Sequence, residues 1–260
     1  MEPIPTLDIQ KIFYPKLLTE QELEWAQDTI SSNTFYMMVG HALVAGEALS
    51  VVRMGDGECQ LMQDCIAAYE TGRGDEIVDS HDDAWLERMG VLGIAKKLLK
   101  QRLEIAANAC THFAPSLSGI QLENFRLYDL FDARTRYVDN FFCNAWTEGM
   151  KIQLFQQAKH VLFIHRSLPS ADAMQIRAKY ALGVKVTYLH LSNWQEAEGV
   201  IDQASKIDAP LVLFSAGPAS KYIGPEIAMS GNLPKVTLDI GNAADYWLLS
   251  SLKDIPNGRR

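Results

Sequence analysis

Four runs in the second half of the chain decide the fold: Val161-Leu162-Phe163-Ile164, Val184-Lys185-Val186-Thr187-Tyr188-Leu189, Leu211-Val212-Leu213-Phe214 and Val236-Thr237-Leu238. They are near-continuously apolar and rich in β-branched and aromatic residues, the pattern of strands buried on both faces. Helix-compatible stretches near 170–182, 193–207 and 218–230 separate them, and another follows at 243–252. Strand and helix in alternation predict a parallel sheet covered on both sides. A fifth run, Leu49-Ser50-Val51-Val52, can join it. The expected fold class is α/β: a Rossmann-like, mostly parallel sheet flanked by helices, with a helical N-terminal region.

Working outward, residues 1–18 read as an irregular arm holding Pro3, Pro5 and Pro15. Thr19 with Glu22 three positions on forms a capping-box pattern that predicts a helix start. Residues 36–48 are weakly helical, and the chain becomes helical again from Cys59 to Tyr69. Thr71 to Asp83 is polar and turn-rich, and Asp75, Glu76, Asp79, Asp82 and Asp83 read as a solvated loop plus the acidic first turn of the next helix. Leu86, Met89, Leu92, Leu99, Leu103 and Ala106 then fall at helical spacing, predicting one long amphipathic helix. Residues 114–145 mix aromatics with charges and show no period. The domain reading is an arm and helix over 1–35, a single Rossmann-like domain over 36–252, and a tail over 253–260.

The 260 residues carry 48% hydrophobic and 22% charged side chains, enough for a full core, so disordered, collagen-like and disulfide-scaffold classes are excluded. Lys and Arg total 24 against 32 Asp and Glu, a formal charge of −8. That balance disfavours a broad nucleic-acid or anionic-lipid footprint, while leaving room for a local basic pocket. Cys59, Cys65, Cys110 and Cys143 show neither a C-x-x-C pair nor zinc-ligand spacing and read mainly as small buried hydrophobes. Met1-Glu2-Pro3-Ile4-Pro5 lacks the basic and apolar regions of a secretory signal, and no apolar run reaches the roughly 20 residues of a membrane span. The expected location is cytoplasmic.

In open α/β sheets ligands bind at the carboxyl ends of the strands, which directs attention to five loops: Arg53–Glu58, His165–Ser167, His190–Asn193, Ser215–Lys221 and Asp239–Asp245. In Arg53-Met54-Gly55-Asp56-Gly57-Glu58, Gly55 and Gly57 permit tight turning and close approach to a ligand. Asp56 and Glu58 bracket Gly57 and can converge on Mg²⁺ or Mn²⁺ if the turn is non-helical, and Arg53 offers a fork for phosphate oxygens. The same residues also suit a helix start, with Asp56 as N-cap and Glu58 favoured by the helix dipole. Ser215-Ala216-Gly217-Pro218-Ala219-Ser220-Lys221 can bring backbone N–H groups and a lysine to a phosphate; equally, it is a strand-to-helix turn with Pro218 opening the helix. Asp239, with Gly241 and Asn242 after it and Asp245 just beyond, can hold a ribose or sugar hydroxyl or take a proton; equally, Asn242 or Asp239 caps the helix that follows. His165 and Arg166 can face a diphosphate, although a lone histidine there, like His190 and His41, more often serves structure.

The stretch Ser50-Val51-Val52-Arg53-Met54-Gly55-Asp56-Gly57-Glu58 resembles the hallmark segment of the GT-D-type glycosyltransferases, an apolar strand followed by Arg-aromatic-Gly-Asp-Gly-Glu. Ala216-Gly217-Pro218 and Leu238-Asp239-Ile240-Gly241-Asn242 stand, in order, where that family has a Gly-Pro turn and an Asp-Ile-Gly-His segment. The resemblance spans about residues 36–250, and only its first motif is specific. Met54 replaces an aromatic residue. Asn242 replaces a histidine, and an amide hydrogen-bonds a sugar but does not titrate.

The resemblance implies a glycosyltransferase that moves a sugar from a nucleoside-diphosphate sugar to a hydroxyl acceptor on a glycan or glycoprotein. Asp56 and Glu58 are the implied ligands of Mn²⁺ or Mg²⁺. Arg53, Gly55, Gly57, Arg166, Gly217, Ser220, Lys221 and Asn242 are the expected donor-binding residues, and Asp239 or Asp245 the candidate general base. The aromatic-rich segment 125–146 is either an acceptor platform or core. Metal-dependent phosphotransfer or phosphohydrolysis, and non-catalytic nucleotide-sugar binding, are the alternatives. A modified nucleobase as acceptor ranks lower because of the charge.

Overall fold

The computed structural model describes residues 29–115, 136–166, 183–218 and 221–241, with the side chains of Asp56 and Arg136 outside that description. The strands are β1 (Leu49–Met54), β2 (His112–Pro115), β3 (Arg136–Tyr137), β4 (His160–His165), β5 (Lys185–His190), β6 (Leu211–Ser215) and β7 (Val236–Asp239). They form one seven-stranded sheet in the order β3-β2-β1-β7-β6-β4-β5. Every pairing is parallel. The predicted α/β class and all five predicted strands are present, and β2 and β3 extend the sheet through the stretch that showed no period.

The two-residue alternation of strand side chains divides the core into two layers. Val52, Met54, Leu162, Ile164, Val212 and Phe214 face one layer. It is built on α2 (Asp56–Glu70), α3 (Asp83–Met89), α4 (Lys96–Ala109), α7 (Ala197–Ser205) and α8 (Ile223–Met229). Leu49, Val51, Val161, Phe163, Leu211, Leu213 and Leu238 face the other. There, α1 (Ser32–Ala45), α5 (Phe142–Ala145) and α6 (Glu148–Ala158) supply Phe35, Phe142, Trp146, Leu154 and Phe155. Phe35 meets Phe142 edge-on at 5.0 Å and stacks on Trp146 at 6.1 Å. The described part of the aromatic-rich segment therefore supplies core, while residues 125–135 lie outside the described residues.

Two local expectations are corrected. The long helix expected across Leu86 to Ala106 is two helices. Gly90 (φ 73°) ends α3 in the left-handed region, Gly93 (φ 75°) turns the chain, and Leu92 is 40% exposed. Both helices bury apolar residues in the same layer, so the helical spacing runs on across the break. The acidic loop is not merely solvated: Lys96, only 3% exposed, lies 2.7 Å from Asp79, 3.4 Å from Asp64 and 3.9 Å from Glu76. Asp82 caps α3 by accepting the Trp85 N–H at 2.8 Å. Pro218 begins a 3₁₀ turn, as expected of a proline at a helix start, and its carbonyl accepts the Lys221 N–H at 3.1 Å. The α-helix α8 itself begins at Ile223.

The helices expected after Thr19, at 170–182 and at 243–252 lie outside the described residues. Among the described residues, no helix is long and apolar enough to cross a membrane. All four cysteines are buried and outside any disulfide. Burial pushes the Cys65 and Cys110 thiols up to about 12, consistent with a packing role.

Candidate functional site

Because β7 inserts beside β1, the loop leaving β1 and the end of β7 are neighbours at the carboxyl edge of the sheet. β1 runs out at Met54, and Gly55, in extended conformation, is the N-cap of α2. This corrects the expectation that Asp56 would be the N-cap: Asp56 is the first residue of the helix. Glu58 folds back so that its Oε2 accepts the Gly55 N–H at 3.0 Å, the carboxylate half of a capping box. The turn is thus helical, and helix positions two apart do not face each other.

Lys221, from the turn after β6, reaches into the same place. Its Nζ lies 2.5 Å from Asp239 Oδ2 and 3.2 Å from Glu58 Oε1, and the residue is 4% exposed. Asp239, 1% exposed, also accepts the Arg53 N–H on Oδ2 at 3.2 Å and the Gly241 N–H on Oδ1 at 3.1 Å. Burial alone would raise the Glu58 carboxyl, but Lys221 and backbone N–H donors outweigh it and hold the group below its ordinary value. Burial would likewise lower the Lys221 ammonium, yet Asp239 and Glu58 hold it above the ordinary lysine value. Both therefore stay charged at neutral pH, and the ion pairs are compensated where they are buried.

The third component was not legible in the sequence. Arg53 donates from Nε to the Asn140 carbonyl at 2.8 Å and from Nη2 to Asn140 Oδ1 at 3.0 Å. Asn140, buried between β3 and α5, donates from Nδ2 to the Met54 carbonyl at 3.1 Å and the Ala114 carbonyl at 2.5 Å. It pins the ends of β1 and β2 and grips the guanidinium together. Next to it, buried Asp139 accepts from Ser32 Oγ at 2.6 Å and from the Phe141 N–H at 2.9 Å. An Asp-Asn pair inside an unperiodic aromatic stretch was the only available signal.

Other predicted residues gather around the end of α3 instead. Gly57 lies so close that a side chain there would come within 2.9 Å of Met89 Cε and 3.4 Å of Trp85. Gly217 (φ 73°) presses against the Met89 carbonyl, and any Cβ would collide with it. The Arg166 guanidinium donates to the Arg88 carbonyl, near the helix C-terminus where a cation is favoured. His190 Nε2 hydrogen-bonds the Arg166 carbonyl at 2.6 Å, a structural role as expected. The conformational freedom of Gly217 is thus used for packing against α3. Ser167, Ser220, Asn242 and Asp245 lie outside the described residues.

The donor set is chemically suited to a hard divalent cation, since Glu58 and Asp239 are both carboxylates and Asp56 stands two positions before Glu58. Each described carboxylate oxygen already has a protein partner, so a cation drawn to Glu58 would compete with Lys221. Among the described residues no group of three or more His, Cys, Asp or Glu side chains forms a metal cluster.

A Rossmann-like parallel sheet with a buried charged cluster at its carboxyl edge defines the general class. The particular family follows from comparison: residues 30–247 match the GT-D fold-like domain, and the chain belongs to that family, with a glycosyltransferase-like fold. No curated protein and no solved structure matches the chain.

Proposed function

We propose that the protein is a glycosyltransferase that binds a nucleoside-diphosphate sugar at the β1–β7 edge and transfers the sugar to a hydroxyl acceptor. The observation that supports this most is the convergence of Arg53, Glu58, Lys221 and Asp239 from three separate strand ends, within a family of glycosyltransferase-like fold. An anionic substrate is then met by local cations, despite a chain charge of −8.

Arg53 takes the diphosphate oxygens, and Gly55 lets the chain approach the donor at the start of α2, while Gly57 lets α2 close against α3. Lys221 holds Glu58 and Asp239 in place and adds positive charge as the nucleoside diphosphate departs. Glu58 and Asp239 would hold Mn²⁺ or Mg²⁺ in exchange for Lys221, with Asp56 at the start of α2 as the further expected ligand, and the ion would supply Lewis-acid stabilisation of the leaving diphosphate. Ser220 is the expected phosphate contact from the loop after β6, and Asn242 hydrogen-bonds a sugar hydroxyl, while Gly217 and Arg166 pack that loop against the end of α3.

Asp239 has both oxygens engaged and no exposure, so in this reading it orients Lys221 and the Arg53 backbone. The acceptor proton then goes to Asp245.

The test is a panel of nucleotide sugars with Mn²⁺ and candidate hydroxyl acceptors, following the phosphorus-containing product. Release of nucleoside diphosphate that depends on acceptor supports the transferase. Release of inorganic phosphate indicates a phosphohydrolase, and donor binding without turnover indicates a binding module.

A further inference from the structure

We propose that Asn140 is a positioning residue that aims the Arg53 guanidinium at the diphosphate of the donor, an inference that rests on the sugar-nucleotide reading above. Asn140 offers Arg53 two acceptors, its main-chain carbonyl to Nε and its Oδ1 to Nη2. Its amide orientation is dictated by its surroundings: Nδ2 faces two carbonyls, those of Met54 and Ala114, and only a donor satisfies both. The clamp is therefore locked to the carboxyl ends of β1 and β2.

The grip leaves one prong unused. Among the described residues, Nη1 of Arg53 has no hydrogen-bond partner. It passes over Gly241 at the exit of β7, where a side chain would lie only 2.6 Å from it. Gly241 thus keeps the path of Nη1 open.

The clamp is also neutral. A buried arginine held bidentately by a carboxylate has its charge cancelled by that partner, whereas an amide and a carbonyl fix the fork and leave its charge for an incoming anion. Of the nearby acids, Glu58 and Asp239 are shared with Lys221, and Asp139 spends its oxygens on Ser32 Oγ and the Phe141 N–H. Geometry and charge together make Arg53 Nη1 a directed anion donor, and Asn140 is what directs it.

The experiment titrates inorganic pyrophosphate into the full chain by calorimetry, comparing wild type, Asn140→Asp, Arg53→Met and the double variant. Asn140→Asp keeps the acceptor but places a carboxylate on Arg53 and removes the Nδ2 donor. It is expected to weaken pyrophosphate binding about tenfold in the presence of Arg53 and to have no further effect in the Arg53→Met background. Equal weakening in both backgrounds, or none in either, overturns the proposal. Gly241→Ala provides a second arm that leaves Asn140 intact. It crowds Nη1 and is expected to show the same dependence on Arg53, and weakening independent of Arg53 overturns the proposal even if Asn140→Asp does not fold. A wild type that does not bind pyrophosphate removes the diphosphate reading itself, a result distinct from binding without coupling.

Discussion

The ammonium of Lys221 lies 3.2 Å from Glu58 Oε1, joining the turn after the sixth strand to the first turn of the helix after the first. The same ammonium holds Asp239 at 2.5 Å, so one buried cation is shared by two buried carboxylates. Replacing Lys221 by Met leaves both acids without that partner, and the loss expected is about 3–5 kcal/mol in chemical denaturation. Mn²⁺ should recover part of that loss, because a divalent cation can take the position between the two oxygens. A variant as stable as wild type would contradict the buried-pair description, and an unstable variant indifferent to Mn²⁺ would contradict the convergence of the carboxylates on a cation.

Acid and alkali should both act through Lys96. Its hydrogen bond holds the Asp79 carboxyl below the ordinary 3.8, and the partnership with Asp79 and Asp64 outweighs burial to hold the Lys96 ammonium above the ordinary 10.5. A lowered acid contributes stability above its unfolded value that is lost as pH falls through the folded one. A raised base contributes stability below its unfolded value that is lost as pH rises through the folded one. The stability difference between wild type and Lys96→Met is therefore expected to be flat between pH 5 and pH 9 (about one unit inside those limits) and to shrink below pH 3.8 and above pH 10.5. Denaturation midpoints across this range measure it, and a difference that grows in acid would contradict it.

Phe35 and Met37 sit two residues apart on α1 with opposite environments. Phe35 is sealed against Phe142 and Trp146, while Met37 is 68% exposed. Phe35→Ala is expected to cost about 3–5 kcal/mol and Met37→Ala within about 0.5 kcal/mol, both read by urea unfolding. Comparable effects would mean that α1 packs on a different face.

Gly72 and Gly217 share a φ near 74°, the values being 74° and 73°, but not a neighbourhood. A methyl at Gly72 meets nothing within 4 Å, while at Gly217 it runs into the Met89 carbonyl. Gly72→Ala should cost about 1 kcal/mol from the backbone alone. Gly217→Ala should cost at least about 1–3 kcal/mol more, because α3 must move away. Equal losses would show that Gly217 is not packed on α3.

How far the sequence could be read follows from the same physics. Four of the five predicted strands are buried on both faces, so their composition announces them without any partner, and β5, half-exposed at the sheet edge, is announced by its β-branched and aromatic residues. β2, written His112-Phe113-Ala114-Pro115, is too short and too mixed to stand out, and β3 is a two-residue strand whose pairing with β2 defines it. The break at Gly90 was hidden because α3 and α4 bury one continuous layer. At the site, Glu58, Lys221 and Asp239 were legible as loop residues, but their meeting depends on β7 lying beside β1, a strand order that local sequence does not encode. Asn140 acts through strand ends that only the folded sheet brings to it.

The central claim is that this carboxyl edge binds a sugar nucleotide with the help of a divalent cation at Glu58, with Asp239 and Asp56 as its further carboxylates. Calorimetric titration of a nucleotide-sugar panel, with Mn²⁺ and with chelator, into wild type, Asp56→Ala and Glu58→Ala tests it most directly. The account predicts donor binding to wild type that strengthens with Mn²⁺, and loss of that strengthening in both variants. Donor binding whose Mn²⁺ dependence is unchanged in Asp56→Ala and Glu58→Ala, or no binding of any nucleotide sugar by wild type, would contradict it.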